Sequence, residues 1–327
     1  MVKVKLLVGL VLVGIILLTV SYVYHKKSEI KVINDEAGNI KGKQEETILQ
    51  ESSLKQVIPW GINLINSELI STDNSKIKIA ILDSGINKDH KDLVGLVKKQ
   101  YNAISPDIPV VDDFGHGTAV AGIIGANNNG YGVLGVNSSG VEIYDVKVLD
   151  AKGKGTIDQL IKGIEWSITE NVDIINISSG VVKENKSLEN IIKKAVSSGI
   201  LIVAAAGNTY GTGVNYPAKY NDVLSINSIK ESYKRPSSAA RGKIDYVAPG
   251  VDILSTDKDG GYSFFTGTSF ASAHATGVIS VILGELKKES KYKQSKLTFV
   301  NELTKYITVN KEFSKKEEYG NGLLTIK

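Results

Sequence analysis

From Lys55 onward, short β-rich runs alternate with stretches of helical periodicity, and no other feature of the chain constrains its fold as much. Ile77 to Leu82, Val141 to Val148, Val172 to Ile177, Leu201 to Ala205 and Val223 to Ile226 read as strands. Helical stretches lie around His116 and over Ile157 to Thr169, Leu188 to Ser198 and Phe270 to Leu286. The alternation predicts an α/β fold: a doubly wound, mostly parallel central sheet with helices on both faces. With 327 residues, 42% of them hydrophobic, 32 glycines and only 6 prolines, the chain can build one large domain of this kind. The sequence contains no internal repeat.

Chemistry enters at the ends of these elements. Gly267 to His274 reads G-T-S-F-A-S-A-H, a serine between small residues where the last long helix starts. A helix N-terminus favours negative charge, so a serine Oγ there gains as it becomes alkoxide-like, and Gly267 and Ala271 leave room for a substrate backbone. Serine and threonine are also ordinary helix N-caps, and this string alone does not separate the two roles. The strand from Lys76 ends in Asp83-Ser84-Gly85, which sets a carboxylate at the carboxyl edge of the sheet, where ligands gather in open α/β folds. In the segment Asp112 to Gly122, His116 stands between Gly115 and Gly117 at the start of another small-residue helix. A nucleophilic serine needs a base, and the base needs a carboxylate to fix its tautomer. Asp83, His116 and Ser269 fill those roles.

The order Asp, His, Ser along the chain and the strings around each residue resemble the subtilisin-like serine proteases, the subtilases. The resemblance covers Lys55 to Lys327. Ala204-Ala205-Ala206-Gly207-Asn208, after the strand Ile200 to Val203, is similar to the family segment whose asparagine helps form the oxyanion hole. Ala119 stands where the commonest family pattern has a second histidine, and Phe270, Ala273 and Thr276 replace the more usual methionine, proline and alanine. None of these substitutions removes a group that moves a proton.

The same resemblance implies where substrate binds. Gly153-Lys154-Gly155 is similar to the edge segment that pairs with an extended peptide, and Ser178-Ser179-Gly180 to the segment opposite it. A phosphate loop at Gly153 to Thr156 is excluded, because the G-x-x-x-x-G-K-[ST] spacing is missing. Ala205, Ala206 and Gly207 would line the primary pocket, with Asn215 at its base making it polar and shallow. Ile157 and Leu160 read either as walls of a second apolar subsite or as core.

A structural calcium ion is also implied by resemblance. Side-chain oxygens would come from Gln56, Asp92 and Asn129, and carbonyls from Asn127, Tyr131 and Val133, although Asn and Gly in this loop also suit an ordinary turn. His90 and His274 read as architectural, and no two histidines share a ligand-like spacing.

The net charge of +4 is small and its basic residues are dispersed, which argues against a nucleic-acid partner. Zero cysteines exclude disulfides, thiolate chemistry and cysteine-bound zinc. At the N-terminus, Lys3 and Lys5 precede an apolar run from Leu6 to Val20, extendable to Tyr24, before His25-Lys26-Lys27. That run is close to the ~20 residues of a membrane span and also within reach of a secretory signal. Residues 1–27 are therefore expected to be a membrane anchor or signal peptide, 28–54 a linker or short pro-segment, and 55–327 the peptidase domain. The expected protein is an extracytoplasmic, monomeric serine endopeptidase acting on polypeptides. Its role is either general degradation or maturation of a co-secreted peptide leader, and the contrasting alternative is a catalytically dead peptide-binding protein.

Overall fold

The computed structural model describes residues 32–34, 55–65, 76–288 and 296–326. The expected anchor or signal in 1–27 lies outside the described residues, as does the 28–54 segment apart from 32–34. The chain divides into a small unit, 1–32, and a large one, 33–327, to which the architecture below belongs apart from Val32, the first residue of β1.

After a short strand β1 (Val32–Asn34) and helix α1 (Trp60–Leu64), the chain forms β2 (Ile77–Asp83), β3 (Val97–Asn102), α2 (His116–Gly125), β4 (Val141–Lys147), β5 (Lys154–Thr156) and α3 (Ile157–Thr169). There follow β6 (Ile174–Ile177), α4 (Lys186–Ser197), β7 (Leu201–Ala205), β8 (Leu224–Ile229) and β9 (Tyr246–Pro249). A hairpin of β10 (Ile253–Thr256) and β11 (Tyr262–Phe265) leads into α5 (Thr268–Lys288). The C-terminal part holds α6 (Lys296–Leu303), β12 (Ile307–Thr308), α7 (Lys316–Tyr319) and β13 (Leu323–Leu324).

Nine of these strands form one sheet in the order β12-β13-β9-β8-β7-β6-β2-β4-β3. Every neighbouring pair is parallel except β12 and β13. The doubly wound expectation holds, and the period-2 geometry of the strands explains how both faces are covered. Ile77, Ile79 and Ile81 of β2 join the core that α2 and α5 cover, while Ala80 and Leu82 join the core covered by α3 and α4. Val203 and Ala204 of β7 divide the same way. The helices match their positions. Thr156 and Gln159 form a reciprocal capping box at α3, and the Asn185 side chain accepts the Leu188 N–H at 2.9 Å at α4.

Among the described residues, α5 is the one helix long and apolar enough to cross a membrane, but 83% of its apolar window is buried inside the protein. It is the central core helix. β2 is the switch point of the sheet, with β4 and β3 on one side and β6 on the other, so the crevice beyond its carboxyl end is open to side chains from several loops. Asp83 is its last residue.

Candidate active site

Asp83 and His116 meet beyond the end of β2. His116 Nδ1 is 2.9 Å from both carboxylate oxygens of Asp83, and both side chains are buried. Local sequence explains the encounter. Gly115 has φ +100°, a conformation open to glycine, and it turns the chain into α2 with His116 as first residue. Asp112 organises that turn: Oδ1 accepts the N–H groups of Phe114 and Gly115 at 3.2 and 2.7 Å, and Oδ2 accepts the Thr118 N–H and hydroxyl. Ser84 ties the two loops together, donating its hydroxyl to Asp112 at 2.8 Å and accepting the Gly117 N–H at 3.0 Å. Lys147, nearly buried, donates to the carbonyls of Ser84 and Val111 at 2.6 and 2.9 Å.

Ser269 is the second residue of α5, and its Oγ donates to the Ser178 carbonyl at 3.1 Å. The next residue, Phe270, brings its ring to 5.1 Å from the His116 ring, so the imidazole lies beside the first turn of α5. Asn208 joins the same turn. Its Oδ1 accepts the Thr268 N–H at 3.0 Å, and Thr268 Oγ1 accepts the Gly207 N–H at 3.1 Å. Thr268, Asp112, Ser84 and Lys147 were missed as site residues in the sequence reading. For Asp112 a signal existed, since an aspartate three residues before Gly115 and six before Thr118 can cap the turn between them.

The two segments expected to flank a peptide lie around this centre. Gly153 abuts the Phe114 ring, which stacks at 6.3 Å from His116, and Lys154 and Gly155 continue into β5. Ser178, Ser179 and Gly180 leave the end of β6, with Ser178 bonded to Ser269. Ala205 ends β7, and the Asn215 N–H donates to Ala206 at 3.0 Å. The Asn215 side chain lies against Gly180 on one side and Gly207 on the other; a Cβ on either glycine would press on it. Ile157 and Leu160 are buried in the core under α3, which is the core alternative for that pair.

A profile of the Subtilase family matches residues 74–322. The chain belongs to the subtilase family. It is similar to subtilisin E of Bacillus subtilis (strain 168), 40% identical over 243 residues that cover 70% of this chain and 62% of the relative. The subtilisin of Bacillus pumilus is 40% identical over 70% of this chain and 86% of its own length. The minor extracellular protease Epr of Bacillus subtilis (strain 168) is 37% identical over 77% of this chain and 38% of its own length. The chain thus spans about six-tenths of the length of the first curated relatives it matches.

In this subtilase the loop read as a cation site is closed by amides. Gln56 Nε2 donates to the carbonyls of Asn127 and Val133 at 2.7 and 3.4 Å. Asn129 Nδ2 donates to Asp92 Oδ1 at 3.0 Å, while its oxygen accepts the Tyr131 N–H at 2.9 Å. Asp92 Oδ2 takes the Val133 N–H and the Tyr262 hydroxyl at 2.8 and 2.9 Å. Burial, followed by the bond to Asp92, pushes the Tyr262 hydroxyl far up, so it keeps its proton. His90 serves the same corner: Nε2 donates to the Gly261 carbonyl at 2.9 Å and Nδ1 accepts the Asp92 N–H at 3.1 Å.

Proposed function

We propose that this subtilase is an extracytoplasmic serine endopeptidase that cleaves peptide bonds through an acyl-enzyme, with Asp83, His116 and Ser269 as triad and Asn208 as oxyanion donor. One observation carries the reading: the Asp83 carboxylate holds His116 Nδ1 at 2.9 Å beside the helix turn that begins with Thr268 and Ser269. A carboxylate on Nδ1 keeps that nitrogen protonated, which leaves Nε2 basic.

An extended peptide would pair through its main chain with Gly153–Gly155 on one side and Ser178–Gly180 on the other. Its P1 side chain would enter between Ala205–Gly207 and the Asn215 amide, which makes the pocket short and polar. Ser269 Oγ then exchanges the Ser178 carbonyl for the imidazole, passes its proton to His116 Nε2 and attacks the scissile carbon. The carbonyl electrons move to oxygen, where the Asn208 NH2 and the first-turn amides of α5 stabilise the charge. Collapse expels the amine, which takes the proton from His116. A water molecule activated by the same nitrogen releases the acid and restores Ser269.

The loop around Asp92 fits a structural calcium ion. Gln56 Nε2 sits on the carbonyls of Asn127 and Val133 and Asn129 Nδ2 on Asp92 Oδ1, so a half-turn of each amide would present an oxygen where it now presents N–H groups. Asn129, Tyr131 and the other loop residues would supply the rest of an all-oxygen set. The ion would supply no step of the reaction; it would fasten the segment at Gln56 to the body of the domain. The N-terminal apolar run would carry the enzyme out of the cytoplasm, as membrane anchor or as signal.

The test is Ser269→Ala together with a serine-directed phosphonate. Wild type is expected to hydrolyse peptides and to label at Ser269, while the variant keeps its melting curve and loses activity by about 10⁶-fold, the loss known for subtilisin itself. Unlabelled, inactive wild type that still binds peptide would instead identify a binding protein.

A further inference from the structure

Asp145 is a buried carboxyl that the mechanism above does not use. It lies in β4, paired across the ladders with Ile81 of β2 and Gln100 of β3, and has no exposed surface. Oδ2 accepts the Ile86 N–H at 3.1 Å and the Gln100 amide at 2.9 Å. Oδ1 is equally buried and has no hydrogen-bond partner among the described residues.

The neighbouring charges distinguish Asp145 from the carboxyls near it. Asp83 has the Ser84 N–H at 2.7 Å and His116. Asp112 collects Ser84, Phe114, Gly115 and both donors of Thr118. Lys147, on the same face of β4, spends its ammonium on Ser84, Val111 and Asp113, the last at 3.4 Å. Asp145 alone in this group has neither a cation nor a full set of donors, and an ionised carboxylate so placed is costly. Burial pushes it up to about 7; Asp112 and Asp83 add to the rise, and Gln100 and Ile86 oppose it. Its one backbone partner, Ile86, closes the turn Asp83-Ser84-Gly85-Ile86, whose first residue holds His116.

We propose that Asp145 is a positioning residue of the reaction above, working as a neutral acid that pins Ile86 and with it the turn that carries Asp83 to His116. This rests on the endopeptidase reading. Ionising Asp145 adds an anion beneath Asp83, favours the imidazolium form of His116 and so withdraws the base. The two titrations are coupled, and the rise of kcat/KM with pH becomes shallower than that of a single group.

Two variants and one spectrum test this in the full chain. Asp145→Asn keeps an acceptor for Ile86 and cannot ionise. Its acid limb of kcat/KM is expected to steepen to a single ionisation and move down by about half a pH unit, with kcat near wild type. Asp145→Ala removes the acceptor, and kcat is expected to fall by about tenfold at every pH with KM unchanged, because the residue touches no substrate. In wild type, an infrared carbonyl band from a protonated carboxyl should persist above the usual carboxylate range, disappear around the midpoint of about 7, and be absent in Asp145→Asn. A wild-type spectrum without that band overturns the neutral acid, and this readout needs neither folded variants nor activity. Equal kcat losses in Asn and Ala, or three superimposable pH profiles, overturn the positioning role. Failure of the endopeptidase reading looks different: wild type would hydrolyse nothing, while the infrared titration would still report on Asp145.

Discussion

Asn208 is oriented by Thr268: its side-chain oxygen accepts the Thr268 N–H at 3.0 Å and lies 3.3 Å from the Thr268 hydroxyl, which fixes the sense of the amide. The nitrogen then occupies the opposite arm. Because Thr268 opens α5 and Ser269 follows it, the residue that aims the donor and the candidate nucleophile move as one rigid unit. An oxyanion donor held in this way needs no reorganisation as charge develops on the substrate.

Asn208→Ala is therefore expected to lower kcat by about 10² to 10³-fold with little change in KM, the range known for removing this kind of donor from subtilisin. Steady-state kinetics on a peptide substrate measure it. A variant that loses affinity but keeps turnover would make Asn208 a binding residue for the ground state.

Gly117→Ala tests the seam between α2 and β2. A methyl group at Gly117 would overlap the Gly85 carbonyl oxygen and come within 3.2 Å of Asp83 Cβ, so the turn bearing Asp83 must give way. Overpacking of this kind costs about 1–3 kcal/mol, and a displacement near 1 Å at the chemistry costs on the order of 10²-fold in rate. Gly261→Ala is the control, since the nearest atom to its Cβ is a side-chain oxygen at 3.9 Å. Similar activity in both variants would show that the seam tolerates movement.

The same seam marks what could be read from the sequence and what could not. β7 and α3 were legible to the residue, because a dense apolar run and a capped, amphipathic stretch are local signals. α4 begins two residues before its expected start, at Lys186, because Asn185 caps it ahead of the apolar periodicity. β3 escaped notice since its core, Lys98-Lys99-Gln100, is that of a sheet edge, polar wherever it faces solvent. The β10–β11 hairpin escapes notice in the sequence because its pairing, Ile253 with Phe265 and Thr256 with Tyr262, is set across a glycine-rich turn. Asp83, His116 and Ser269 stood out through their flanking glycines and small residues. Asp145 could not, since an aspartate in a strand looks like a solvent-facing residue until the neighbouring strands bury it.

Acid should weaken the fold through His274. Burial holds its imidazole down to about 4; the bond from Nδ1 to the Phe270 carbonyl at 2.8 Å opposes that shift. Unfolded, the same side chain takes a proton near the ordinary histidine value of 6.5, so between the two values the unfolded state binds more protons. The full contribution is present above 6.5, declines as pH falls through that window and is gone below 4. The total is about 3 kcal/mol from the difference of the two values. Urea unfolding of wild type and His274→Gln across this range measures it: the wild-type curve should fall more steeply, and parallel curves would remove His274 from acid lability.

Calcium provides the last expectation. Asp92 is the one carboxylate of the candidate loop, and no group of three or more acidic, histidine or cysteine residues able to hold a metal occurs among the described residues. Affinity must therefore come from ligands held in place by the backbone: Asp92 accepts the Val133 N–H through its carboxylate and the Asn127 N–H through its carbonyl, and the Gln56 N–H donates to the Gly130 carbonyl. Val57 pairs with Val133 beside Gln56, so an ion here fastens the first described segment of the domain to the loop. A ligand that binds only the folded state stabilises it by about 2.7 kcal/mol at a hundred times its Kd. Excess chelator is expected to lower Tm and hasten self-digestion, and added calcium to restore both. Asp92→Ala should lower Tm without chelator and become insensitive to calcium. Tyr262→Phe gives the counter-test, since it removes the hydroxyl that occupies Asp92 Oδ2 at 2.9 Å and leaves the oxygen set complete, so the response to calcium should survive. Melting curves of wild type that superimpose in chelator and in calcium would show that the amides of Gln56 and Asn129 close the loop by themselves.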